Sequence, residues 1–213
     1  MAVETCLQLQ IEGHQAQCEL IYCNMSDKDI KHHRRSIRLP EYDYSQEGAY
    51  YVTICTKDRK CLFGGINDGR MALNPFGIII IEELLRTPEI RREISLGEWV
   101  IMPNHVHAIV MINDHYDDVG ATGRSPLPCR AKPCGPKPHS LASFIAGFKS
   151  GTAKRINEMR KTTGCPVWQR NYWEHVIRNQ KSCDKIRQYI IENPLYWDQD
   201  DENPERKTYK EIK

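Results

Sequence analysis

The sequence predicts an α+β fold, a two-layer sandwich of helices packed on a mainly antiparallel sheet. Three observations carry that expectation. The run Ala49-Tyr50-Tyr51-Val52-Thr53-Ile54-Cys55-Thr56 is aromatic and β-branched, as strands are. Trp99-Val100-Ile101-Met102 and His105-Val106-His107-Ala108-Ile109-Val110-Met111-Ile112 flank Pro103-Asn104. A proline there cannot donate to a sheet ladder, so it marks a turn or bulge between two strand pieces. Capped helical patterns fall between and after these strands, giving the order β-α-β-β-α-β-α.

Taken along the chain, residues 1–30 show no clean period and read as a mobile N-terminal extension. A basic arm over 31–38 follows, carrying Arg34, Arg35 and Arg38, and then the strand over 49–56. Gly64-Gly65 closes the loop after it. Asn74 caps a helix with Pro75 in its first turn, and Pro88 stops it. Residues 113–138 are crowded with proline and glycine and read as a linker or flap inserted in the domain. Ser140 caps a second helix, whose Leu141, Phe144, Ile145 and Phe148 make one buried stripe; Gly164 ends it. Residues 167–177 read as a strand. Ser182 caps a third helix that runs to Asn193 and is ended by Pro194. The working domain spans 31–198, and 199–213 is an acidic and polar tail.

Composition narrows the function classes. Hydrophobic residues are 40% of the 213 and charged residues 27%, as in ordinary globular proteins. No apolar run approaches the ~18 residues of a membrane span. No basic start followed by an apolar stretch suggests a secretory signal, so the cytoplasm is the expected compartment. The net charge of +2 hides an uneven distribution. Residues 139–187 hold ten Lys/Arg against three Asp/Glu, whereas 198–205 is acidic. A basic middle suits a polyanion, with a solvated charged face as the plainer reading. Nine cysteines are scattered, and the pairs Cys18/Cys23 and Cys129/Cys134 share a C-x4-C spacing. Four thiolates can hold zinc, but neither pair has the spacing of a zinc ribbon, and reduced thiols without a special role are expected.

The chemistry concentrates in two places. In a strand, His105 and His107 point to one face and Val106 to the other. Two imidazoles side by side can chelate a divalent cation on a rigid platform. On the third helix, Tyr189 and Asn193 are four apart and share a face. A tyrosine can attack phosphorus when its phenolate is stabilised and the phosphate polarised. The helix alone favours the plainer reading, with Tyr189 an amphipathic core residue beside Ile186 and Ile190.

Three motifs occur in order: Pro103-Asn104-His105-Val106-His107, the block Trp168-Gln169-Arg170-Asn171-Tyr172-Trp173-Glu174-His175-Val176-Ile177-Arg178-Asn179, and Tyr189-Ile190-Ile191-Glu192-Asn193-Pro194. Together they resemble the single-tyrosine HUH transposases, above all the REP-associated tyrosine transposases. The resemblance covers roughly residues 31–198. It implies a compact antiparallel sheet with helices on one side, similar to an RNA-recognition or ferredoxin-like sandwich. It implies that His105, His107 and Asn193 bind a divalent metal, magnesium or manganese, and that Tyr189 is the nucleophile. The expected reaction cuts and rejoins single-stranded or hairpin DNA through a 5′-phosphotyrosine. Glu174 and His175 are candidates for supporting the site from behind, or for strand packing. Arg34, Arg35, Arg38, Lys149, Lys154 and Arg155 are expected to track DNA phosphates. The expected location is cytoplasmic and nucleoid-associated, as monomer or homodimer. Two other readings stay open: a hydrolase whose histidine pair activates water, and a DNA-hairpin-binding protein without catalysis.

Overall fold

In the computed structural model the described residues are 42–113 and 135–206. The extension 1–30, the arm with Arg34, Arg35 and Arg38, both C-x4-C pairs, and all but the ends of 113–138 lie outside them.

Four strands form the main antiparallel sheet: β1 Gly48–Cys55, β4 Ile94–Ile101, β5 His105–Ile112 and β6 Trp173–Ile177, in the spatial order β4-β5-β1-β6. Two four-residue strands, β2 Gly64–Asn67 and β3 Arg70–Leu73, make a separate hairpin. The sequence reading took Gly64-Gly65 for the end of a loop. Strands this short, opening on two glycines, carry a turn's signature rather than a strand's.

Helix α1, Pro75–Ile90, is capped as expected: Asn74 Oδ1 accepts from the amides of Phe76 and Gly77 at 2.9 and 3.1 Å. Pro88 does not stop it. The helix runs on to Ile90, and Arg91 N still donates to Thr87 O at 2.8 Å. Helix α2, Leu141–Met159, starts at Ser140, whose Oγ accepts from Ser143 N. It ends at Met159, short of the expected stop at Gly164.

The expected strand over 167–177 survives only as β6, plus one bridge between Thr56 and Trp168. Two side chains explain the difference. Trp168 turns into the core, donating Nε1–H to Thr152 Oγ1 at 2.8 Å and packing on Phe63 and Phe148. Lys149 Nζ then donates to the carbonyls of Gln169 and Asn171 at 2.9 and 2.8 Å, which takes those groups out of any ladder. Helix α3, Gln180–Glu192, is capped by Asn179, whose Oδ1 accepts from Ser182 N at 2.8 Å; Ser182 is the donor in the first turn and not the cap. Beyond it, Asn193–Gln199 continues as a 3-10 turn.

Strand alternation sorts side chains to two faces. Tyr50, Val52 and Ile54 of β1 and Val106, Ala108 and Val110 of β5 join Ile80 and Leu84 of α1 and Leu141, Ile145 and Ile156 of α2 in the main core. The other face holds a smaller cluster: Tyr51, Ile109 and Met111 with Cys183 and Ile190 of α3. The helices are therefore not all on one side, because α3 crosses the opposite face. No helix among the described residues is long and apolar enough to cross a membrane.

Candidate active site

The smaller face carries the chemistry. The pairing of β1 with β5 sets Thr53 opposite His107 and Cys55 opposite His105, so both imidazoles emerge on the side of Tyr51 and Thr53. Both histidines are buried. Their Nε2 atoms are 2.9 Å apart.

Hydrogen bonds on the far nitrogens set that convergence. Asn104 Nδ2 donates to two backbone carbonyls, Arg59 O at 3.0 Å and Glu202 O at 2.7 Å. Carbonyls only accept, so the amide orientation of Asn104 is fixed and its oxygen faces His105 Nδ1 at 2.8 Å. His105 must then carry its proton on Nδ1, which leaves the Nε2 lone pair pointing at His107. The Nδ1 atom of His107 sits 2.8 Å from Tyr51 Oη and 2.9 Å from Thr53 Oγ1, either of which can accept its proton. Neutral imidazoles are favoured. Burial lowers the pKa of His105 to about 4, against an upward pull from Asp200. Burial, then the neighbouring His105, takes His107 well below its usual value.

A third donor comes from a residue that sequence reasoning missed. Asp200 is buried, its Oδ2 lies 3.9 Å from His105 Nε2, and its ligand atoms group with those of both histidines within 4.8 Å. Asn193 Nδ2 donates to the same Oδ2 at 2.9 Å. The other end of that amide, Asn193 Oδ1, is buried without a hydrogen-bond partner among the described residues. Two neutral imidazoles, one carboxylate and one spare amide oxygen are a donor set for a hard or borderline divalent cation.

Tyr189 completes the group. Its position on α3, one turn before Asn193, brings its ring centroid to 5.4 Å from that of His107 and 6.3 Å from that of Tyr51. The side chain is 47% exposed, open to a cleft of about 610 Å³ that also borders His107, Trp173, Lys185 and Asp200. Burial pushes the phenol pKa up, Asp200 adds to the rise, and hydrogen bonding by Asn193 and Tyr51 offsets part of it. The phenol is thus neutral at rest, and nearby positive charge would favour its ionised form.

The other expected residues are placed differently. Glu174 pairs with Val52 in register and faces the α1–α2 core, so it does not stand behind the histidines; Tyr51, Thr53 and Asn104 do. His175 is opposite Tyr51 and reaches the cleft, but touches neither histidine of the pair in any hydrogen bond described. The basic helix α2 lies across the sheet from the cleft. Lys149 is held by the carbonyls of 169 and 171, lies over the Tyr172 ring, and is lowered to about 8 by burial. Arg155 is paired with Glu82 and, at 2.9 Å, with Glu83 of α1, and Lys154 with Glu158. These contacts, and the intervening sheet, set Lys149, Lys154 and Arg155 apart from the cleft at Tyr189.

The fold and site define an α+β protein whose paired strand histidines face a tyrosine-bearing helix. A protein of Haemophilus influenzae described only as uncharacterized is 40% identical over 174 residues, covering 79% of this chain and 92% of that one. The chain belongs to the family of that protein, and REP-associated tyrosine transposases stand among its relatives and structural neighbours. One, provisionally named as such in Haemophilus influenzae, is 22% identical over 165 residues, covering 72% of this chain and 73% of that one. A solved REP-associated tyrosine transposase bound to a REP hairpin matches with a TM-score of 0.48 and 18% identity, over 79% of this chain and 74% of that chain. No family model matches the sequence.

Proposed function

We propose that this protein is a transposase-like DNA-binding enzyme that cuts and rejoins single-stranded or hairpin DNA through Tyr189. The observation that carries this reading is the meeting of the Tyr189 ring with His107, whose Nε2 lies 2.9 Å from that of His105. The residues present fit a divalent ion held by His105, His107 and Asp200, with Asn193 Oδ1 in reserve. Such an ion, when bound, would supply positive charge that offsets the negative charge gathering on a scissile phosphate as it is attacked.

The chain's own residues do the rest. Tyr189 Oη attacks phosphorus and gives up its proton; the new O–P bond forms as the bond to the 3′-oxygen breaks, and that oxygen leaves as a 3′-hydroxyl after taking up a proton. The phosphodiester energy is kept in a 5′-phosphotyrosine, so rejoining to another 3′-hydroxyl needs no nucleotide cofactor. Asn104, Tyr51 and Thr53 hold the imidazoles with Nε2 presented. Asn193 steadies Asp200 while contacting the phenol. Residues 200–203 belong to this machinery, so the working unit extends past 198 into the stretch that composition alone marks as a tail.

The test is a labelled hairpin DNA strand incubated with the protein and manganese, then run under denaturing conditions. A denaturant-resistant complex in the parent protein, absent from Tyr189→Phe although that variant still binds the hairpin, is the expected result. DNA cut without any protein adduct, and equally in Tyr189→Phe, would instead assign a hydrolase that activates water.

A further inference from the structure

Trp173 and His175 stand alternately with Glu174 on β6, and register sets them beside Thr53 and Tyr51 on the cleft side of the sheet. Their rings are parallel within 10°, with centroids 6.0 Å apart. Trp173 is 45% exposed although it lies in a strand, and β6 is an outer strand of the sheet among the described residues. Tyr51 braces the indole edge-on, with centroids 5.3 Å apart, and the same Tyr51 ring contacts His107. One aromatic ring therefore separates the candidate metal ligand from the exposed indole and the imidazole stacked parallel to it. Lys185 borders the same cleft, together with Asp200, Asp201 and Glu202.

We propose that the parallel Trp173–His175 pair is a stacking platform for an unpaired base of the DNA strand whose backbone enters the cleft at Tyr189. The proposal rests on the DNA-cleaving reading above and adds the side chains that would receive a base of the unpaired strand. A base can lay its face on the indole only when unstacked from its own neighbours, which a continuous duplex does not allow. The platform therefore selects single-stranded DNA next to the cut, by base face rather than by base identity. Trp173 and His175 are positioning residues: they hold the nucleotide beside the scissile phosphate and take no part in the bond changes.

The experiment compares binding of labelled oligothymidylate with an abasic oligodeoxynucleotide of equal length, which keeps every phosphate and lacks every base. Tyr189→Phe serves as the background so that no strand is cut. The background protein is expected to favour the thymidylate by about 10-fold or more, within the range for base–aromatic stacking. Adding Trp173→Ala should bring that ratio towards one by weakening the thymidylate and leaving the abasic strand alone. Trp173→Phe should keep most of the preference, and His175→Ala should lose part of it. Manganese affinity, unchanged in each, verifies that the site is intact. A base-to-abasic ratio undiminished in both Trp173→Ala and His175→Ala, with salt-sensitive binding present, overturns the platform and leaves the DNA reading standing. Absence of salt-sensitive binding to either strand overturns both.

Discussion

Replacing Asn104 should separate two roles that its one side chain performs. It is 0% exposed and makes three hydrogen bonds: to His105 Nδ1 at 2.8 Å, to Arg59 O at 3.0 Å and to Glu202 O at 2.7 Å. At about 1 kcal/mol net for each, Asn104→Ala should destabilise the protein by about 3 kcal/mol. For a domain of this size that is a fall in Tm of roughly 6–12 °C. Losing the acceptor on Nδ1 also frees His105 to change tautomer or turn, and disturbing such a support typically weakens metal binding by about 10- to 100-fold. Asn104→Asp restores an acceptor for His105 but removes both donors and sets a carboxylate against two carbonyl oxygens. It should be as unstable as Asn104→Ala while recovering most of the manganese affinity. Thermal denaturation in chelator gives the first quantity, and calorimetric titration with manganese, performed below each variant's Tm, gives the second. Equal loss of affinity in the two variants, or an affinity in Asn104→Ala within about twofold of the parent, would refute the assignment of the Asn104 oxygen as the lock on the His105 tautomer.

Tyr51→Phe and Thr53→Val should each weaken manganese binding only a few-fold, since either hydroxyl can serve His107 Nδ1. The double variant should lose roughly 10- to 100-fold by the same titration, more than the two single effects multiplied. The metal-free protein should lose stability as pH falls from about 6.5 towards about 4, measured by thermal unfolding in chelator. The sign follows because His105 stays neutral when folded, with a pKa of about 4, but takes a proton near its usual value when unfolded; the unfolded state binds more protons in that window and is favoured there. Hydrogen exchange should be faster in α3 than in α1 or α2, because α3 buries only Cys183 and Ile190 while each of the others buries six residues.

Periodicity made the core strands legible. Aromatic and β-branched runs at 49–56 and 105–112 became β1 and β5, and the caps at Asn74 and Ser140 began the first two helices. The stripe Leu141, Phe144, Ile145, Phe148 is buried throughout. What escaped depended on contacts distant in sequence. Nothing local says that Lys149 will take the carbonyls of 169 and 171 and end a strand-like run there. Alternation made the histidine pair visible, whereas Tyr189 and Asn193 share a helix face by spacing but owe their expected roles to the family resemblance. Asp200 was not visible, because one carboxylate in an acidic stretch looks like its solvated neighbours until Asn193 and His105 surround it. Tyr51 and Thr53 had a signal that only register could release: once Thr53 is paired with His107, alternation puts both on the imidazole face.

The two faces of the sheet divide the work of the molecule. On one, α1 and α2 close over a continuous apolar core and are tied by Arg155 to Glu82 and Glu83. That face holds the strands in register and so fixes His105 and His107 to each other. On the other, α3 rests on a small cluster, with Arg187 to Glu98 at 2.8 Å as its polar tie to β4. A rigid pair of ligands and a lightly held helix bearing the phenol are different physical requirements, and one sheet meets both because its side chains alternate. The same alternation explains why Glu174 and His175, adjacent in sequence and equally suggestive there, end in different environments, one toward the core and one at the mouth of the cleft. Charge follows the same division: Arg155 of α2 ties helix to helix, while Lys185 of α3 borders the cleft beside Tyr189.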